Sequence, residues 1–400
     1  MILAPIPVAG ASSAVGVLMA SDPSAVLFSR RSFLGASTAA SAAFAVGVLS
    51  EPLLAMANLR ELPAPTPGNA VFINANENPL GPSAAARKAI SEIIPRGGRY
   101  LYERMEQFVK RYAESEGLKP DYVDIYPGSS SPLHYSVLAF TSPKASYVTA
   151  DPGYEAGTLS AEVSGARVVR IPLAKDYSHD IKAMLAAAPD AGLFYICTPN
   201  NPTGTMTSHS AIEHLVANKP KGSIVMVDEA YIHFTDAVSA IDLVKAGRDV
   251  VVLRTMSKIY GMAGLRCGFA IARPDLLRKI AQFAGWVSMP VTAIAAASAS
   301  ISDPQLVPER RQINTAVRQQ TFDWLSEHGY SYVPSQSNCF MLETKRPARE
   351  VIAAMARQNV YIGRPWPAWP THVRITIGTA EEMEQFRGAF RQVMTGAKSG

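Results

Sequence analysis

The sequence predicts an α/β protein: a large domain on a mainly parallel sheet, followed by a smaller α+β domain. Three observations carry that prediction. Six short apolar runs, at residues 146–149, 168–171, 193–197, 224–227, 250–254 and 268–272, alternate with helix-like segments. Runs this short and this continuously apolar suit strands buried on both faces, as parallel strands under crossover helices are. The last 90 or so residues lose the alternation and change character. The composition, with 48% hydrophobic and 18% charged residues and no low-complexity tract, excludes collagen-like, coiled-coil and disordered chains. A length of 400 residues is enough for two or three domains with cores of their own.

Taken in order, residues 1–57 stand apart. They hold only four charged residues (Asp22, Arg30, Arg31 and Glu51) and 14 alanines. Ser29-Arg30-Arg31-Ser32-Phe33-Leu34 precedes a weakly apolar stretch rich in Ala and Ser, and Ala55-Met56-Ala57 gives a small-x-small cut pattern. Paired arginines, a mild apolar run and that cut site together resemble a twin-arginine signal peptide. Export to the periplasm by the twin-arginine machinery, with cleavage after Ala57, is the expectation. The run at 32–50 is long enough to span a bilayer, but its Ser, Thr and Gly make a poor anchor. Either Met1 or Met19 could be the start of the chain.

Residues 58–95 are Pro-rich and irregular, and read as an arm that reaches the small domain and covers the active site. Residues 96–305 form the large domain, beginning with a helical pattern through Met105, Phe108, Val109 and Tyr112. The small domain, 306–400, opens on a helix through 313–328. Apolar runs at 332–333, 339–342, 360–362 and 373–377 follow, and an amphipathic helix at 381–394 closes it.

A net charge of +5 is too dilute for a nucleic-acid partner, and no Lys/Arg run supports one. The three cysteines, Cys197, Cys267 and Cys339, cannot build a disulfide scaffold. The seven histidines lack metal-ligand spacing, so no metal site is expected.

Ligands of α/β sheets gather at the carboxyl ends of the strands, and polar residues stand there. The run at 193–197 leads into Thr198-Pro199-Asn200-Asn201-Pro202-Thr203-Gly204, and the run at 224–227 into Asp228-Glu229-Ala230-Tyr231. The run at 250–254 leads into Thr255-Met256-Ser257-Lys258, with Arg266 eight residues on. Alone, each is an ordinary turn. In this order and spacing they make a constellation.

On these residues the chain resembles the fold-type-I pyridoxal phosphate enzymes, specifically class I/II aminotransferases close to histidinol-phosphate aminotransferase. The resemblance covers nearly all of 70–395. It includes the opening Asn74-Ala75-Asn76-Glu77-Asn78-Pro79-Leu80-Gly81-Pro82 and the closing Arg374-Ile375-Thr376-Ile377-Gly378-Thr379. It implies a seven-stranded sheet, pyridoxal 5′-phosphate as cofactor, transfer of an amino group between an amino acid and a 2-oxo acid, and a homodimer with shared active sites. It also implies roles. Lys258 would carry the cofactor as a Schiff base and move the proton at the substrate α-carbon. Asp228 would keep the pyridine nitrogen protonated. Asn201 and Tyr231 would donate to the phenolate oxygen, and Tyr154 would stack on the ring. Arg266, Ser257 and the N–H groups of Ser129 and Ser130 would hold the phosphate. Tyr100 would reach the phosphate of the neighbouring subunit, although Leu101 stands where the family has proline. Arg374 would grip the substrate α-carboxylate, with Asn78 also on the substrate side. A lyase, decarboxylase or cyclase on the same scaffold would use the same cofactor residues.

The pattern departs from the family in Gly363-Arg364-Pro365-Trp366-Pro367-Ala368-Trp369-Pro370. Arg364 is the candidate for a substrate phosphate, but its loop is short and rich in Trp and Pro. That favours Trp366 stacking on an apolar, aromatic or cationic side chain. An ordinary or aromatic amino acid is therefore expected as substrate, rather than histidinol phosphate.

Overall fold

The computed structural model describes residues 51–284 and 289–396. The predicted twin-arginine motif lies outside the described residues. The first strand, β1 (Val71–Ile73), stays out of the main sheet and pairs in parallel with a late strand. The main sheet has seven strands: β2 (Val123–Tyr126), β3 (Ser146–Asp151), β4 (Val168–Pro172), β5 (Ala191–Cys197), β6 (Ile224–Asp228), β7 (Val250–Thr255) and β8 (Gly268–Ala272). Their order is β2-β8-β7-β6-β5-β3-β4.

Five neighbours, β4, β3, β5, β6 and β7, run parallel, and β8 runs antiparallel to both β7 and β2. The reversal follows from the connection. The 12 residues between Thr255 and Gly268 hold only a short 3₁₀ turn (Ala263–Leu265), with no crossover helix to carry the chain back over the sheet. That connection carries Lys258 and Arg266. Every residue of β5, β6, β7 and β8 is buried, whereas edge strand β4 alternates. Each buried Val, Leu or Ile side chain in those strands contributes roughly 1.5–3 kcal/mol.

A second core gathers Phe340, Leu342, Val351, Ile375 and Phe386 with Val71 and Ile73. Here β9 (Cys339–Glu343) pairs antiparallel with β11 (His372–Thr376), and β1 pairs with β10 (Val360–Ile362). The helix Ala380–Thr395 is started by a capping box, in which Thr379 and Glu382 satisfy each other's backbone N–H. The helix Leu306–Glu327 lends Leu306 to the large core and Val317, Phe322 and Leu325 to the small one.

Two sequence expectations need correction. Residues 58–95 are not irregular throughout: Ala84–Ile93 is a helix, N-capped by Ser83, whose Oγ accepts from Ala86 N at 3.1 Å. Pro79 and Pro82 lie ahead of that cap, where they do not interrupt it. The strand β2 was also missed, because Val-Asp-Ile-Tyr alternates instead of forming an apolar run. Among the described residues, no helix is long and apolar enough to cross a membrane.

Candidate active site

The carboxyl ends of β5, β6 and β7 meet in a cavity of roughly 600 Å³. Lys258, Asp228, Tyr231, Asn201, Tyr154, Ser129, Ser130, Ser257 and Arg266 all line it. Nine of the residues singled out in the sequence are thus brought together.

Lys258 leaves the end of β7 and is buried, its Nζ donating to Ala75 O at 3.3 Å and standing 5.6 Å from the Tyr231 ring centroid. Burial lowers its pKa, and Arg374 lowers it further against the opposing pull of Glu51. An amine so placed loses its proton more easily and becomes a better nucleophile. Asp228 ends β6. Its Oδ2 accepts from Tyr195 on β5 at 2.9 Å and its Oδ1 from Ala230 N at 3.1 Å. Burial is the largest influence on it and pushes its carboxyl up to about 6. Among the described residues Asp228 has no ion-pair partner, so a protonated ring nitrogen would offset a real desolvation cost.

At the other end, Gly128 (φ +88°) turns the chain so that Ser129 and Ser130 open the helix Ser130–Phe140. Their N–H groups belong to a helix start, where an anion is favoured. Arg266 (φ +61°) closes this corner, held by Ala263 O at 3.0 Å and Pro127 O at 3.3 Å. A Cβ on Gly128 would come within 2.1 Å of Arg266 Nη2, and one on Gly268 within 2.4 Å of Ser129 N. The corner exists because both positions lack a side chain. An anion cradle, an acid deep in the sheet and a buried amine fit pyridoxal phosphate at its phosphate, ring nitrogen and aldehyde respectively.

The substrate side is built by Arg374 of β11, which is fully buried. Its Nη1 donates to Asn201 Oδ1 at 2.9 Å, and its Nη2 donates to Glu51 Oε1 at 2.5 Å and to Asn74 O. Arg364 donates from Nη1 to Glu51 Oε1 at 3.0 Å and from Nη2 to Glu155 Oε2. Both guanidinium groups lie over Trp366, 4.2 Å and 5.1 Å from its ring centroid. Trp366 is 1% exposed and donates to Gly153 O at 3.2 Å. It backs the two arginines instead of presenting its face to a substrate, which corrects the expected stacking.

Other expected residues stand elsewhere. Asn78 donates to Ile259 O at 3.0 Å and lines a neighbouring groove, outside the main cavity. Tyr100 is 65% exposed and stacks on Tyr102, away from its own chain's cavity. Asn201 turns its amide to Arg374 and Glu51, where a donor to the phenolate had been expected.

Three side chains were overlooked. Asn76 (φ +53°) donates to Tyr231 Oη at 2.9 Å and accepts from Thr376 Oγ1 at 3.1 Å. It stands in the same motif as Asn78, the residue expected on the substrate side. Tyr195 gave no signal inside an apolar strand. Glu51, assigned to the leader, is 6% exposed and sits within the cavity, on the helix Glu51–Leu59. Its signal was available: it is the lone acidic residue between Asp22 and Glu61.

A buried ion pair braces the floor. Arg254 Nε donates to Glu229 Oε2 at 2.7 Å and Nη2 to Ser239 Oγ at 2.8 Å, tying the end of β7 to the turn after Asp228. Arg254→Ala would strand Glu229 without a counter-charge. Urea unfolding is expected to show a loss of roughly 3–5 kcal/mol, and a loss below about 1 kcal/mol would refute the bracing role.

The chain matches the aminotransferase class I and II family over residues 70–390. It is similar to the histidinol-phosphate aminotransferase of Symbiobacterium thermophilum, 35% identical over 335 residues covering 81% of this chain and 90% of that one. It is also similar to the aromatic amino acid aminotransferase of Cutibacterium acnes, 32% identical over 332 residues covering 82% and 94%. In fold it resembles the crystal structure of Sinorhizobium meliloti histidinol-phosphate aminotransferase in complex with pyridoxal-5′-phosphate, with a TM-score of 0.76 and 24% identity over 82% of this chain and 91% of that one. The chain therefore belongs to the class I and II aminotransferase family and is a pyridoxal phosphate-dependent aminotransferase.

Proposed function

We propose that this aminotransferase takes its amino group from an amino acid with an aromatic or apolar side chain and gives it to a 2-oxo acid. The observation that carries this reading is the pairing of Arg364 with Glu155. Arg364, the candidate for a substrate phosphate, is already neutralised, and a carboxylate beside it would repel a phosphate. The name of the Cutibacterium acnes relative supports the same substrate class.

When bound, the cofactor supplies an electron sink for the bond broken at the substrate α-carbon. The chain's own residues do the rest. Arg374 and Asn201 hold the α-carboxylate and so fix which α-bond faces Lys258. The Lys258 amine, whose proton burial makes easier to lose, takes up and returns the α-proton. Asp228 keeps a proton at the ring nitrogen, and Tyr195 and Ala230 N hold its carboxylate in place. Asn76 fixes the hydroxyl of Tyr231, whose ring centroid stands 5.6 Å from the amine.

We also read the protein as an exported homodimer. The paired arginines at 30–31 support twin-arginine export, and the exposure of Tyr100 supports a reach toward a neighbouring subunit. A donor panel on the purified protein tests the substrate class. Phenylalanine, tyrosine or leucine is expected to exceed histidinol phosphate in kcat/KM by at least about 10-fold, the scale of one well-placed side-chain contact. Faster turnover of histidinol phosphate would overturn the reading.

A further inference from the structure

We propose that the helix Glu51–Leu59 is a blocker in cis, whose Glu51 carboxylate fills the clamp that receives the substrate α-carboxylate. The inference rests on Arg374 being that clamp. Both oxygens of Glu51 are engaged. Oε1 accepts from Arg374 at 2.5 Å and from Arg364 at 3.0 Å, while Oε2 accepts from Asn201 at 3.4 Å. A fully buried guanidinium and a side-chain amide gripping one carboxylate make the contact set proposed above for an amino acid. With Glu51 seated, that set has no place for a second anion.

Charge points the same way. Arg364 and Arg374 are matched by Glu51 and Glu155, two cations against two anions. Take Glu51 away and the buried cluster keeps an uncompensated positive charge, which is costly and draws in an anion. A substrate carboxylate restores the balance, and Glu155 remains on Arg364.

The helix is held by that carboxylate and by a partial apolar anchorage. Ala55 is buried and Leu54 packs on the large core, while Leu53 and Met56 are 45% and 43% exposed. Burial opposes the charged form of Glu51, but Arg364 and Arg374 outweigh it and keep the carboxyl at about 2. The blocker therefore stays charged across the physiological range, and release must come from cutting the chain or from competing anions. The expected cut after Ala57 falls on an exposed residue of this helix, beyond the anchor. A tethered carboxylate acts at an effective concentration in the millimolar range, whereas a severed one is lost by dilution. A leader of this kind would keep the enzyme closed to amino acids until it is processed.

The test compares the full chain with its Glu51→Gln and Glu51→Ala variants, all loaded with cofactor. Calorimetry with 2-oxoglutarate reads the apparent Kd, and limited proteolysis reads the exposure of residues 51–59. Both variants are expected to bind at least about 10-fold more tightly than the unaltered chain, since a closed site taxes apparent affinity by its open fraction. The oxo acid is also expected to expose the unaltered helix to protease. Equal or weaker binding by both variants overturns the proposal, because Glu51 would then be inert or part of the binding surface. Borohydride fixation of cofactor on Lys258, read by mass on the same samples, separates the two readings. A labelled Lys258 with unimproved binding faults the blocker alone, and an unlabelled Lys258 faults the site on which it rests.

Discussion

Lys258→Ala leaves a folded protein that cannot hold its cofactor covalently, and its turnover falls by at least about 10⁴-fold. The magnitude follows from two losses in one residue: the attaching nucleophile, and the acid–base group at the α-carbon, the latter alone being worth about 10²–10⁴. Folding should survive. Lys258 is buried, the hydrogen bond its Nζ donates to Ala75 O is long at 3.3 Å, and burial already disfavours its charge. The variant should therefore melt at or above the temperature of the unaltered chain once cofactor is removed from both. Mass after borohydride treatment should show the cofactor's added mass only when Lys258 is present. Turnover within 100-fold of the parent, or fixation at another lysine, would remove Lys258 from the centre of the mechanism.

Much of this was legible in the sequence, for a physical reason. Strands buried on both faces must be apolar along their whole length, so β5 to β8 announced themselves, and the polar residues that end the parallel β5, β6 and β7 had to lie on one rim. What stayed hidden depended on directions that composition does not encode. The choice between Asn76 and Asn78 is set by a positive φ at Asn76, which turns its amide toward Tyr231 while Asn78 turns to Ile259 O. Trp366 was expected to stack on a substrate side chain, whereas its ring lies against both guanidinium groups. Glu51 was masked by its neighbourhood. A carboxylate in a charge-poor leader looks incidental until two arginines more than 300 residues away are seen to share it.

Asp228→Asn tests the other pole of the site, and the direction of its pH effect is fixed by the burial of the carboxyl. With cofactor bound, the amide cannot balance a positive charge at the ring nitrogen, and kcat/KM is expected to fall by about 10²–10³, the scale for loss of one preorganised electrostatic contact. Without cofactor, the same carboxyl makes the fold pH-sensitive. Its unfolded pKa is near 3.9 and burial raises the folded value to about 6. Below pH 4 both states carry the proton and the residue is neutral in the balance. Between pH 4 and 6 the unfolded chain gives up its proton while the native chain keeps it, so stability falls as pH rises. The loss reaches roughly 3 kcal/mol above pH 6 and then levels off. Asparagine carries no such proton, so the difference in unfolding free energy between Asp228→Asn and the parent should grow across that window in favour of the variant. Urea unfolding of the two cofactor-free proteins at pH 4.5, 5.5 and 7 isolates the residue, because every other titrating group is common to both. Parallel pH curves would mean that Asp228 is not strained by burial. Adding pyridoxal phosphate should then reverse the slope in the parent alone, because a cation at the ring nitrogen stabilises the carboxylate that burial opposes.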